Sequence, residues 1–120
     1  MTIKRFEDMK CWQKARELTR VIYDYVKRDR FSKDFRLSGQ ITGAAISIMN
    51  NISEGFDSGS NKEFARFLSY SRRSCSEVQN CLYIALDQEY IVEENFQKTY
   101  LDCEETRKTI DGMIRYLKSN

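Results

Sequence analysis

The chain contains no proline and only five glycines among its 120 residues. Proline interrupts helices, and folds rich in turns use proline and glycine at those turns. The scarcity of both argues against an all-β fold and favours long helices. A chain of this length is expected to form one domain, and no repeat, low-complexity tract or second-domain signal divides residues 1–120.

Histidine is absent, and the four cysteines form no Cys-x-x-Cys pair. A zinc site would need thiolates from separate helices at spacings unlike those of known sites. Without histidine, the Glu-x-x-His pairs of di-iron bundles are excluded as well. The cysteines are better explained as small buried side chains in a reducing compartment. We therefore expect no metal and no cofactor.

Sequence motifs of common enzyme classes are also missing. The chain has no P-loop, no Gly-x-Ser-x-Gly elbow and no glycine-rich dinucleotide turn. Carboxylates are frequent, but nearly all fall on the predicted outer faces of helices. We therefore expect a protein that is not an enzyme.

No segment has the composition of a membrane span or a signal peptide. The longest uncharged run includes Gln40, Asn50 and Asn51, which would lack hydrogen-bond partners in hydrocarbon. The N-terminal residues carry charges where a signal peptide needs an apolar core. We expect a cytoplasmic protein with no membrane partner.

Charge is missing from one long segment, Leu37 to Ser53, although 32% of all residues are charged. An amphipathic helix in a soluble domain normally exposes a charged face to water. This segment can expose only small or uncharged side chains, with Ile46 and Met49 among them. Because so short a chain has little else to cover such a face, we expect self-association through it.

Apolar residues recur at steps of three and four in four blocks, which is the spacing of helix-bundle seams rather than of strands. The blocks predict helices at about 9–29, 36–54, 61–87 and 93–118. Asp8 is predicted to cap the first helix, Gly55 to end the second in a left-handed conformation, and Ser60 to cap the third. Short connections make neighbours antiparallel. The predicted fold is all-α, a single-domain up-down-up-down antiparallel four-helix bundle.

Four motifs follow one another in a fixed order between residues 6 and 77, within a match that covers most of residues 6–91. They are Phe6-Glu-Asp-Met-Lys-x-Trp12-Gln-Lys-Ala15, Gln40-Ile-x-x-Ala44-Ala45-x-Ser47-Ile48-x-x-Asn51-Ile52-x-Glu54-Gly55, Glu63-Phe64-x-Arg66-Phe67-Leu68 and Ser74-x-x-Glu77. In order and spacing they resemble the bacterial four-helix-bundle proteins encoded in intervening sequences of 23S rRNA genes. That family includes accessory proteins of diversity-generating retroelements, which assemble as pentamers and bind a reverse transcriptase and nucleic acid.

The resemblance implies a homo-oligomer, specifically a pentamer, whose partners would be RNA, DNA, a reverse transcriptase or another nucleoprotein. Two sites depart from the family pattern. Relatives usually carry two arginines where this chain has Thr42 and Gly43, and they commonly have proline in place of Met49. The missing arginines remove two positive charges from the second helix.

Small residues form a stripe beside the apolar seam of the second predicted helix. Small side chains let helices approach closely, so that larger neighbours can pack around the contact. The predicted subunit interface comprises Gly39, Gly43, Ile46, Ser47, Met49 and Asn50. The alternative is that the stripe faces another helix of the same bundle.

Asn51, Glu54 and Gly55 are the family-motif residues with the least evident packing value. A glutamate in the last turn of a helix opposes the helix dipole, so an arginine is expected to compensate Glu54. The candidates are Arg66, Arg72 and Arg73. We interpret the three motif residues as part of a fixed loop between helices, with a functional site as the alternative.

Residues 1–33 hold ten basic and five acidic side chains. On the first predicted helix one narrow strip contains Arg16, Arg20, Tyr23, Lys27 and Arg30. Basic groups with an interleaved aromatic ring can neutralise phosphates and stack on a base, whereas the alternative is an ordinary solvated face.

The predicted function is a non-enzymatic homo-oligomeric assembly or accessory protein that presents basic surfaces to RNA, DNA or a nucleoprotein partner. The alternative is a protein–protein scaffold without nucleic-acid affinity. The net charge of only +2 and the missing arginine pair favour this alternative.

Overall fold

Helices dominate the computed structural model, which describes residues 3–119. The helices are α1 (Lys10–Val26), α2 (Asp29–Lys33), α3 (Phe35–Phe56), α4 (Asn61–Asp87) and α5 (Glu93–Lys118), and a short 3-10 helix, Phe6–Asp8, precedes α1. No strand occurs between residues 3 and 119. The predicted all-α class is confirmed, and α4 and α5 have the bounds predicted for the third and fourth helices.

The four long helices pack side by side in the cyclic order α1, α3, α4, α5. Both α1 and α4 contact α3 and α5, and the short connections make neighbouring helices antiparallel. The molecule measures 46 × 22 × 19 Å, as expected for two-by-two packing of helices up to about 40 Å long. The outer side of α3 is consequently bordered by α1 on one edge and by α4 on the other.

Each long helix contributes fully buried aliphatic side chains to one shared core, among them Ile22, Ile48, Leu82 and Ile110. The four cysteines lie in the same core and are unpaired. Burial raises the pKa of Cys11 to about 11 and that of Cys75 to about 12. The thiols therefore stay protonated at neutral pH and act as small core side chains, as the sequence predicts.

The first predicted helix, 9–29, is broken in the structure. It ends at Val26, and Asp29 has a φ of 38°, a left-handed conformation that a continuous α-helix cannot contain. The chain resumes as α2, whose Phe31 is buried and stacks on Tyr90 with ring centroids 5.1 Å apart. This stacking holds α2 against the α4–α5 loop.

The helix starts confirm one predicted cap and correct another. Asp8 lies in the 3-10 helix, and α1 instead begins after Met9 without a side-chain cap. Ser60 caps α4 as predicted, because its Oγ accepts the Glu63 amide N–H at 3.1 Å. Asp34, which was not predicted as a cap, caps α3 through Oδ1 by accepting the Leu37 amide N–H at 3.0 Å.

Gly55 does not end the second predicted helix in a left-handed conformation. It lies within α3 and is buried, and among the glycines of the described chain only Gly59 has a positive φ, 93°. A Cβ at position 55 would lie 2.8 Å from Phe64 Cδ1 and 2.9 Å from Phe67 Cβ. Glycine is needed here for the close approach of α3 and α4, which is a tertiary requirement rather than a turn.

Replacing Gly55 with alanine should destabilise the fold by about 1–3 kcal/mol, because the added methyl group would overlap two phenylalanine side chains. Gly112→Ala is the matched control, since the atom nearest to its added Cβ is Arg115 Nη2 at 3.9 Å. That change should stabilise α5 by up to about 1 kcal/mol. Urea unfolding gives the change in the free energy of unfolding for each variant, and the two changes should have opposite signs. Equal changes would contradict the close-approach explanation.

Asp34 should make the free energy of unfolding depend on pH in the acid range. Its carboxylate accepts a backbone N–H from Leu37 and a hydroxyl from Tyr90, and these bonds, in that order, lower its pKa. Its contribution is therefore present above about pH 3.9, the pKa of an unperturbed aspartate, and is lost as the pH falls through the lower native value. Urea midpoints should fall more steeply below pH 4 in wild type than in Asp34→Asn. Parallel pH profiles would show that Asp34 contributes nothing.

Candidate functional site

Four side chains of the predicted basic strip lie together along α1, with Lys27 at the residue that follows its last turn. Arg16, Arg20, Tyr23 and Lys27 line an open, shallow surface groove of about 350 Å³, which Met49 of α3 also lines. Their steps of three and four residues keep them on one face of the helix. The structure therefore joins the α1 basic strip, defined from here on as these four residues, to one residue of the predicted subunit interface.

Arg30 is separated from the α1 basic strip by the break at Asp29. Its guanidinium lies over the Tyr90 ring, 5.6 Å from the centroid, and donates to the Gln88 carbonyl at 3.2 Å. It thus fastens α2 to the α4–α5 loop. Helical spacing predicted Arg30 on the strip only if the first helix ran on without a break, and the structure breaks it after Val26.

The α1 basic strip is cationic and partly ordered by neighbours on the same helix. Arg20 pairs with Glu17 at 2.9 Å, and the Arg16 guanidinium lies 5.7 Å from the centroid of the Trp12 ring. The groove itself is lined by three cations and one carboxylate, that of Asp24. An exposed ion pair such as Arg20–Glu17 contributes only about 0–1 kcal/mol, so Arg20 can exchange this partner for another anion at little cost.

Part of the predicted subunit interface is an open helix face. At Gly39 and Gly43 an added Cβ would find no atom within 4 Å. Ile46 is 40% exposed, and Asn50 is exposed beside it. These four residues form the α3 outer stripe, an exposed face of α3. The alternative, that the small residues Gly39, Gly43, Ser47 and Asn50 face another helix of the same bundle, holds only for Ser47 among them within residues 3–119.

Ser47 and Met49 belong to the edges of α3 rather than to the outer stripe. Ser47 Oγ accepts a hydrogen bond from Ser74 Oγ of α4 at 2.9 Å. Met49 is partly buried against the core on the α1 side. The stripe could be drawn from sequence spacing, but its edges depend on where α1 and α4 pack.

The family-motif residues have structural contacts. Asn51 Nδ2 donates to the Ser47 carbonyl at 2.9 Å and lies 3.1 Å from the Ser47 hydroxyl, and Gly55 permits the close contact with α4. Asn51, Glu54 and Gly55 all lie within α3 rather than in a loop. The loop interpretation is therefore wrong for all three motif residues, because the helix runs on to Phe56.

The expected arginine partner of Glu54 is not present among residues 3–119. The three candidates contact other side chains: Arg66 pairs with Glu63 at 2.8 Å, Arg72 pairs with Asp111 at 3.1 Å, and Arg73 lies over Tyr70. Glu54 itself is exposed. Water therefore solvates this carboxylate.

A second basic and aromatic group, which was not predicted from the sequence, lies on α4. Arg66 Nη1 donates to the Tyr70 hydroxyl at 3.0 Å, and its guanidinium lies 5.7 Å from the Tyr70 ring centroid. Arg73 lies 5.4 Å from the same centroid. The four- and three-residue steps between these positions were the available signal.

Other cavities and clusters are less distinctive. A groove of about 370 Å³ between α1 and α5 carries balanced charge, with three lysines and three carboxylates: Lys10, Lys14, Lys98, Glu17, Asp102 and Glu105. Within residues 3–119, no three His, Cys, Asp or Glu side chains are placed to hold a metal ion. Over the same range, no helix is long and apolar enough to cross a membrane.

Comparison with known proteins agrees with the fold. The chain is similar to a solved protein of unknown function from the S23 ribosomal protein family of Bacteroides thetaiotaomicron VPI-5482, with 25% identity and a TM-score of 0.79. That similarity covers 88% of this chain and 95% of the other. No curated protein matches the sequence. The model of one family, described as 23S rRNA-intervening sequence protein, matches residues 7–112, and the chain therefore belongs to that family.

Proposed function

We propose that this protein is a non-enzymatic, homo-oligomeric accessory protein that binds nucleic acid through the α1 basic strip. One observation carries the proposal: Arg16, Arg20 and Lys27 line the same open surface groove as Tyr23. Cations that follow the phosphate backbone, combined with aromatic rings that stack on bases, are the usual means of holding nucleic-acid strands. Because the family is named after sequences within 23S rRNA, RNA is the first nucleic acid to test.

The contacts within the strip suit phosphate binding. The Arg16 guanidinium is positioned by Trp12, and a guanidinium held in place loses little freedom when its donors meet a phosphate. Arg20 would exchange the Glu17 carboxylate for a phosphate oxygen. Tyr23, 38% exposed, lies between Arg20 and Lys27 along the helix and offers its ring to a base.

Self-association is supported by the α3 outer stripe. The helix carries no charge from Leu37 to Ser53, and Ile46 is exposed at its centre. A second copy placed on this stripe would bury Ile46 and approach closely at Gly39 and Gly43. Five copies are implied by the resemblance to retroelement accessory proteins. Repeating the α1 basic strip around an assembly would raise its affinity for a long polyanion.

A protein–protein scaffold without nucleic-acid affinity is the second candidate. It is favoured by the contacts that Arg16 and Arg20 already make within α1 and by the net charge of +2. Its partner would be another protein, such as a reverse transcriptase or a different nucleoprotein. Nucleic-acid binding and its salt dependence separate the two candidates.

Replacing Arg16, Arg20 and Lys27 together with glutamate should abolish binding of a labelled RNA hairpin, because the strip would then repel phosphates. The control replaces three cations of α5, Lys98, Lys108 and Arg115, with glutamate, which changes the net charge by the same amount. Fluorescence polarisation at increasing salt measures both, and wild-type affinity should fall steeply with salt. Absence of binding by wild type at low salt would favour the scaffold, and equal losses in both triple variants would show that only net charge matters.

Ile46→Glu should reduce the oligomer to smaller species, because a buried unpaired carboxylate in an interface is costly. Ile84→Glu is a matched control, since Ile84 of α4 is 42% exposed and Ile46 is 40% exposed. Light scattering gives the mass of each variant and the subunit number of the wild type. An Ile46→Glu variant of unchanged mass, or a monomeric wild type, would rule out the α3 outer stripe as an interface.

A further inference from the structure

We propose that α4 carries a second nucleic-acid contact surface, formed by Lys62, Arg66, Tyr70 and Arg73 and called here the α4 cluster. The inference rests on the proposed function, because it assumes that the protein binds nucleic acid, and it extends the binding surface beyond α1. The four residues follow one another at steps of four, four and three, so they share one face of α4. The occupant is the phosphate backbone of the same nucleic acid.

Side-chain contacts hold three members of the α4 cluster, Arg66, Tyr70 and Arg73, in place. The Arg66 guanidinium donates to Glu63 Oε1 from Nε and Nη2, at 3.2 and 2.8 Å, and to the Tyr70 hydroxyl from Nη1. The same guanidinium lies 5.6 Å from the Phe67 ring centroid. Arg73 contacts the Tyr70 ring. Because these side chains are already ordered, little conformational entropy remains to be lost on binding.

The charge of the α4 cluster suits a polyanion. Lys62, Arg66 and Arg73 are all exposed, and Glu63 is the one carboxylate in direct contact with them among residues 3–119. The pKa of Glu63 is lowered by its hydrogen bond to Arg66, so it remains ionised at neutral pH. The next carboxylate along this side of α4, that of Glu77, forms no ion pair with Arg73 within the described residues. Three cations are thus exposed to water, and Arg66 is the one that a carboxylate, that of Glu63, neutralises.

The α4 cluster borders α3 on the side opposite to the α1 basic strip. Ser74 lies one turn after Tyr70 on the same face of α4 and donates to Ser47 of α3 at 2.9 Å. Ser71 donates to the Ile48 carbonyl at 2.8 Å, which fixes the same register. A second copy placed on the α3 outer stripe would therefore leave a basic and aromatic surface exposed along each of its two edges.

Arg73→Gln tests the α4 cluster, and its neighbour Arg72 supplies the control. Arg72 is exposed like Arg73 but points towards α5, where it pairs with Asp111 at 3.1 Å. Both variants lose one charge from the same helix. If Arg73 contacts a phosphate, its replacement should weaken binding several-fold. It should also reduce the slope of log K against log salt by about 0.9 for a duplex or about 0.7 for a single strand.

Binding is measured by fluorescence polarisation with a labelled RNA hairpin and, in a second arm, with a single-stranded RNA of the same composition. Arg72→Gln should retain the wild-type affinity and slope. In an Arg66→Gln/Arg73→Gln double variant, the slope of log K against log salt should decrease by about twice as much as in the single variant. Circular dichroism and light scattering establish that each variant keeps its fold and mass.

The outcomes separate this inference from the proposed function. If the triple glutamate variant of α1 loses binding while Arg73→Gln matches Arg72→Gln, the α4 surface is overturned and the function of α1 stands. If Arg73→Gln changes the oligomer mass but not RNA affinity, the cluster is an interface between copies and the inference is wrong. If wild type binds neither RNA, both the proposed function and the α4 surface are overturned.

Discussion

The close packing of α3 against α4 is the contact on which the rest of the structure depends. It requires Gly55, where any side chain would meet Phe64 and Phe67, and it is fixed in register by the hydroxyl groups of Ser71 and Ser74. Once α4 occupies this side of α3 and α1 the other, the outer side of α3 is left open within residues 3–119. The uncharged segment then has a defined outer stripe, and the two basic surfaces lie along its edges.

The corner between α1 and α3 shows how tertiary contacts override a local pattern. The first predicted helix continues to residue 29, but the structure breaks it after Val26 and buries Phe31 against Tyr90. Tyr90 also donates to Asp34, which caps α3. One aromatic residue of the α4–α5 loop thus positions α2 and the start of α3, and it takes Arg30 away from the α1 basic strip.

The candidate site could be predicted from the sequence only in part. Arg16, Arg20 and Lys27 were identifiable because helical spacing alone places them on one face. The participation of Met49 could not be foreseen, because it depends on the packing of α3 against α1. The α4 cluster showed the same kind of spacing, but its order comes from contacts of Arg66 and Arg73 with the Tyr70 ring, which composition and charge counts do not reveal.

By itself, the sequence determined the all-α class, the bounds of α4 and α5 and the Ser60 cap, because apolar periodicity and capping are properties of neighbouring residues. It also determined that the segment from Leu37 to Ser53 has no charge to show to water. Only the tertiary structure decided that Gly55 serves a helix contact rather than a turn and that the α3 outer stripe is open. The physical reason is that close approach and exposure depend on residues distant in sequence, whose positions are set by packing.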